Sequence, residues 1–103
     1  MSINVEIPQT SLNAFCEKWK VRELSLFGSV LRDDFGPESD VDVLVSFDDN
    51  APWSLWDITA MRDELAEIVK RPVDLIEKEG LRNPFRRQTI LRTRRVIYDG
   101  RKR

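Results

Sequence analysis

Histidine is absent from the 103-residue chain, and cysteine occurs once, at Cys16. Without histidine there is no His-based triad and no common zinc-site pattern, and a lone cysteine closes no internal disulfide. Acid–base work must then fall to carboxylates or to water held at a metal. No apolar run approaches the roughly 20 residues of a membrane span. The opening segment, Met1-Ser2-Ile3-Asn4-Val5-Glu6, lacks the layout of a signal peptide, so a cytoplasmic protein is expected. Repeats, linkers and low-complexity segments are missing as well. What is present, 41% hydrophobic and 34% charged residues, is the composition of one soluble globular domain with a modest core.

Charge is distributed unevenly. From Leu81 onward there are nine basic residues (Arg82, Arg86, Arg87, Arg92, Arg94, Arg95, Arg101, Lys102, Arg103) and one acid, Asp99. Residues 1–80 hold the other 8 basic groups and 17 acids, so a net of −1 hides a chain that is −9 before Leu81 and +8 after it. Two readings stand. The arginines solvate a terminal helix and complement its C-terminal dipole, or they form a basic face for an acidic partner, an RNA or a triphosphate. RNA alone fits poorly, because only Phe85 and Tyr98 supply aromatic interleaving.

The most informative stretch is Gly28-Ser29, ten residues, then Asp40-Val41-Asp42. Leu24-Ser25-Leu26-Phe27 reads as a short buried strand ending at the Gly-Ser turn, and Val41 to Phe47 as a second strand rich in β-branched residues. Residues i and i+2 of a strand share a face, so Asp40 and Asp42 project together. Two carboxylates side by side repel unless a cation lies between them, and a hard divalent ion with oxygen ligands answers that need. Gly28 leaves backbone amides open to a phosphate, and Ser29 adds a hydroxyl donor. The alternative is a plain turn followed by two acids on the solvent face of an edge strand. Aspartate is disfavoured in strands, and two of them opening an apolar strand fit that alternative badly.

The remaining pattern predicts helix, strand, helical turn, strand, helix, strand, helix, short strand. Ser11 is placed to cap a first helix with Leu12, Phe15, Cys16 and Trp19 on one face. The Gly28-Ser29 helix is expected to end at Phe35-Gly36-Pro37, and Asp48-Asp49-Asn50-Ala51-Pro52 to be a loop. Ser54 caps a long helix with Leu55, Ile58, Met61, Leu65, Ile68 and Val69 inward. Val73–Ile76 makes a third strand, and Asn83-Pro84 opens the last helix. Trp53 and Trp56 either pack on the sheet or line a base pocket; the core is the expected place for both.

Gly28-Ser29-(ten residues)-Asp40-Val41-Asp42 resembles the signature of the nucleotidyltransferase superfamily with the polymerase β fold. Arg71-Pro72-Val73-Asp74-Leu75-Ile76 resembles the strand bearing that family's third acid, and Ile90 to Tyr98 its closing run. The likeness extends from about Leu24 to about Tyr98. It is nearest to the minimal nucleotidyltransferases, antitoxins paired with HEPN toxins. The resemblance implies an α/β (α+β) fold with a small mixed sheet and helices packed on it. One nucleotidyltransferase domain would span 1–103: an N-terminal helix region at 1–20, a catalytic core at 21–80, and a basic helix and strand at 81–103. Asp40, Asp42 and Asp74 would be catalytic and would hold two Mg²⁺ ions. Gly28, Ser29, Arg32 and Ser39 would serve the nucleotide, with Ser39 bonded to a carboxylate. Arg32 would bind phosphate, or else pair with Asp33, Asp34 or Glu38 on the surface. Val30 and Asp33 depart from residues common in the family, arginine and glycine.

By the same resemblance, AMP would pass from ATP to a tyrosine of a HEPN RNase toxin, blocking it, because about 75 residues of catalytic unit leave little chain to recognise an acceptor. Two rivals remain: a non-catalytic antitoxin that occludes the toxin by binding, and a transferase acting on a small molecule or an RNA end.

Overall fold

The computed structural model describes residues 5–32, 35–36, 39–48 and 51–100. Four strands form one sheet in the order β3-β2-β1-β4, with β1 Val21–Phe27, β2 Val41–Phe47, β3 Val73–Glu77 and β4 Arg95–Asp99. β1 runs antiparallel to both β2 and β4, while β2 and β3 are parallel. The mixed sheet follows from the connections. A short link joins β1 to β2, whereas parallel β2 and β3 are bridged by the crossover helix α2, Leu55–Val69. α1 spans Gln9–Lys18 and α3 spans Pro84–Thr93.

Alternation along β2 sorts the molecule into two faces. Val41, Val43 and Val45 enter the main core with Leu12, Phe15 and Cys16 of α1 and Met61, Leu65 and Val69 of α2. Leu44 turns the other way, into a smaller cluster with Phe27, Leu81 and Ile90, against which Ile76 and Leu91 pack. α3 therefore covers the face that holds Asp42, Leu44 and Ser46. That face is also bound by charge: Glu23, 7% exposed, accepts from Arg94 Nη1 at 2.5 Å, with Lys78 Nζ at 3.7 Å. A buried carboxylate survives because two cations offset its desolvation.

α2 opens on a capping box, Ser54 Oγ accepting from the Asp57 N–H and Asp57 Oδ2 from the Ser54 N–H. Asn83 Oδ1 accepts from the Phe85 and Arg86 N–H groups at the start of α3, with Pro84 at the first helical position. α1 instead begins two residues before Ser11, behind Pro8, with no side-chain cap. β1 starts at Val21 rather than Leu24, because pairing to β2 extends it beyond its apolar stretch. Gly28–Leu31 is a single 3₁₀ turn and ends well before Phe35. Leu55 and Trp56 are 80% and 84% exposed, contrary to their expected burial. They lie in the first turn of α2. Trp53 alone turns in: it meets Trp19 edge-on, centroids 5.1 Å apart, and its Nε1–H donates to the Trp19 carbonyl at 2.7 Å. Asp49-Asn50 and Pro37 lie outside the described residues.

Among the described residues, no helix is long and apolar enough to cross a membrane. Burial pushes the Cys16 thiol up to about 12, with the Glu17 charge adding to the rise; the thiol is packing material and not a nucleophile.

Candidate active site

The two halves of the Gly-Ser/Asp-x-Asp pattern meet because β1 and β2 are registered with Phe27 opposite Asp42. Gly28 is the residue immediately after that pair. Its φ is +76°, a left-handed conformation that side chains disfavour, and a Cβ there would overlap Asp42 Oδ2. The glycine is thus required twice, by the turn it makes and by the carboxylate it lies against. Ser29 follows in the 3₁₀ turn, and its carbonyl accepts the Arg32 N–H at 2.9 Å.

On the other side of β2, the parallel pairing sets Asp42 directly opposite Asp74 of β3. Residues in register share a face, so both carboxylates point to the α3 side. Asp40 lies two residues before Asp42, just outside the strand, and is exposed. The crowding is electrostatic as well as geometric. Asp42 is pushed above the usual carboxylate range by burial first, then by Asp74 and by Asp40. The guanidinium groups of Arg86 and Arg32 act in the opposite direction, Arg86 more strongly. Among the described residues, no three acidic or thiol side chains gather closely enough to enclose a metal ion by themselves.

Arg71 organises the approach to Asp40. Its Nη2 donates to the Ser39 carbonyl at 2.8 Å and to the Gly36 carbonyl, and its guanidinium stacks on the Phe35 ring 4.4 Å from the centroid. The Val41 N–H donates to the Pro72 carbonyl at 2.9 Å, so both flanks of Asp40 are tied to the start of β3. Ser39 Oγ accepts the Gly36 N–H at 3.1 Å, which commits that hydroxyl oxygen to the loop. Arg32 is exposed at the end of the 3₁₀ turn; the surface partners expected for it, Asp33, Asp34 and Glu38, lie outside the described residues.

Two residues were not singled out from sequence. Arg71 left no signal there, because its partners are backbone carbonyls of a distant loop. Arg86 had one: Arg86, Ile90 and Arg94 recur every four residues, a helix face. Ile90 is buried against the sheet and Arg94 reaches Glu23, so Arg86 begins a sheet-facing stripe. The groove of about 550 Å³ along α3 is lined by Pro84, Arg87, Gln88, Leu91 and Arg92, and by none of the acids; Asp42 and Asp74 lie on the strands of the sheet face against which α3 packs.

Comparison with known proteins agrees with this geometry. The nucleotidyltransferase domain family matches residues 9–97. A provisionally named protein adenylyltransferase of Methanocaldococcus jannaschii, MJ1379, is 36% identical over 74 residues, 72% of this chain and 74% of that protein. Among solved structures, a toxin–antitoxin complex with AMP-PNP shares the fold at a TM-score of 0.72 and 16% identity, over 93% of this chain and 77% of that one. The MNT antitoxin bound to a tri-AMPylated HEPN toxin of Shewanella oneidensis shares it at a TM-score of 0.63 and 17% identity, over 91% and 71%. A carboxylate set facing α3, a glycine turn seated against it and a family match over most of the chain lead to one conclusion: this protein belongs to the nucleotidyltransferase family, as a minimal member with the polymerase β-like fold.

Proposed function

We propose that this protein is a Mg²⁺-dependent adenylyltransferase antitoxin that transfers AMP from ATP to a tyrosine hydroxyl of a HEPN RNase toxin and so neutralises it. The observation that carries the reading is the juxtaposition of Asp42 with Asp74 across β2 and β3 and with Gly28 across β1 and β2. Further support comes from relatives and structural neighbours whose names record protein adenylylation and a HEPN partner.

The residues fit a divalent cation. Asp42 is crowded by two like charges, which a cation relieves. Mg²⁺ is commonly held by one or two carboxylates together with substrate phosphates, and does not need a protein cage. Asp40 and Asp42 would share two such ions, and Asp74 would either ligate the second or stay free to act as the base. When bound, Mg²⁺ neutralises the triphosphate and eases ionisation of the acceptor hydroxyl. The Gly28 amide and Ser29 hold the outer phosphates and fix the α-phosphorus for in-line attack. The acceptor oxygen bonds to that phosphorus as the bond to the bridging oxygen of the β-phosphate breaks. Pyrophosphate leaves with the bond's electron pair, and the hydroxyl proton passes to Asp74. Such general-base help is worth roughly 10²–10⁴-fold. Arg32 supports the phosphates, and Ser39 shapes the loop before Asp40. A cytoplasmic setting follows from this activity.

The test is the intact mass of the product of the adjacent open reading frame, after incubation with this chain, ATP and Mg²⁺. AMP-sized increments that vanish with Asp40→Ala/Asp42→Ala are expected. A stable complex without any increment would refute transfer and leave inhibition by binding.

A further inference from the structure

Four arginines lie on or beside α3 and at the start of β3, and three of them are already engaged. Arg94 is ion-paired to buried Glu23, and Arg71 is bonded to two loop carbonyls. Arg87, on the neighbouring side of α3, donates to the Lys78 carbonyl at 2.8 Å. Arg86 is different. Its guanidinium is exposed and forms no hydrogen bond or close ion pair among the described residues. Yet it stands one helical turn before Ile90, which is buried on Phe27 and Leu44 of the sheet face that presents Asp42. The helix amides beside it are spent, since Asn83 Oδ1 takes the N–H groups of Phe85 and Arg86. What the start of α3 offers an anion is therefore this side chain and not its backbone.

Resting on the nucleotidyl-transfer reading, we infer that Arg86 is a substrate-binding residue whose guanidinium contacts the polyphosphate of the bound nucleotide from the α3 side, opposite Gly28 and Ser29. An arginine held solely to balance Asp42 would be ion-paired to it; this one, on the side of the sheet that carries Asp42 and Asp74, has no side-chain partner among the described residues and keeps its donors for a phosphate. The Gly-Ser turn and α3 then close on the phosphates from two sides, and the acids lie between them.

Calorimetric titration of the full chain in Mg²⁺ with ATP, pyrophosphate and AMP tests this, using wild type, Arg86→Gln and Arg86→Lys. Arg86→Gln should weaken ATP and pyrophosphate by roughly 10–100-fold, the range for hydrogen bonds to charged groups, and leave AMP within about twofold. Arg86→Lys should recover part of the loss, because charge is kept while the fork is removed. Equal affinities for ATP in wild type and Arg86→Gln would overturn the inference alone. A parallel fall for ATP and AMP would overturn it too, by assigning Arg86 to helix placement. If Arg86→Gln does not fold, Arg86→Lys decides: full wild-type affinity for pyrophosphate and ATP refutes a forked contact. A wild-type chain that binds neither ATP nor pyrophosphate would overturn the inference and the nucleotidyl-transfer reading together.

Discussion

The two faces of the sheet solve different problems. The face under α1 and α2 is closed and apolar: Leu24, Leu26, Val41, Val43 and Val45 pack on Leu12, Phe15, Met61 and Leu65, and nearly all are fully buried. Among the described residues, the face under α3 has four buried hydrophobic residues, with Ile76 and Leu91 packed against them, and its strands also carry Glu23, Ser25, Asp42, Ser46 and Asp74. Polar groups on that face are unfavourable for folding, and their desolvation and repulsion must be offset elsewhere. The first face supplies that offset. Stability and chemistry are thus separated by a strand's alternation, one residue in and the next residue out.

Gly28→Ala strikes the reactive face hardest: its Cβ would overlap the Asp42 carboxylate and strain a φ of +76°. A displacement of about an ångström at a reacting centre can cost ~100-fold, so AMP transfer, followed by intact mass of the acceptor, should fall by about that factor or more. Leu65→Ala strikes the closed face. Its side chain is 1% exposed, and urea denaturation should show a loss of about 2–5 kcal/mol. The folded fraction should keep its nucleotide affinity; a large loss of affinity without unfolding would show that the faces are not separate.

The smallest effect sharpens the contrast, and its sign is opposite. Asp42 has its pKa raised in the folded protein, so between its unfolded and folded values the native state binds more protons. Wild-type stability must then fall as pH rises through that window and recover as pH drops below it. Asp42→Asn removes the repelling charge. It should melt a few degrees above wild type at neutral pH, with the advantage fading under acid, while transfer is lost. A melting temperature lower than wild type at neutral pH would show that Asp42 stabilises the fold.

Much of this arrangement was legible because it is local. β-branched alternation fixed the Val41–Phe47 strand to the residue, and Ser54 and Asn83 marked their helix starts through capping chemistry that acts within three residues. Trp56 misled for the opposite reason: an apolar side chain is buried only if another element reaches it, and none of the described ones covers the first turn of α2.

The sequence by itself determined the element order, the alternation that divides the sheet into two faces, and the family resemblance carried by Gly28-Ser29, Asp40-Val41-Asp42 and Asp74. Only the tertiary structure decided which groups meet. Strand register brought Gly28 against Asp42 and Asp42 beside Asp74. A helix laid across the same face set Arg86 one turn before buried Ile90, and a side chain from just before β3 tied down the loop before Asp40. The physical reason is range. Turn and cap preferences are properties of a few neighbouring residues, whereas a carboxylate's neighbours are chosen by hydrogen-bond pairing and packing between segments far apart in the chain.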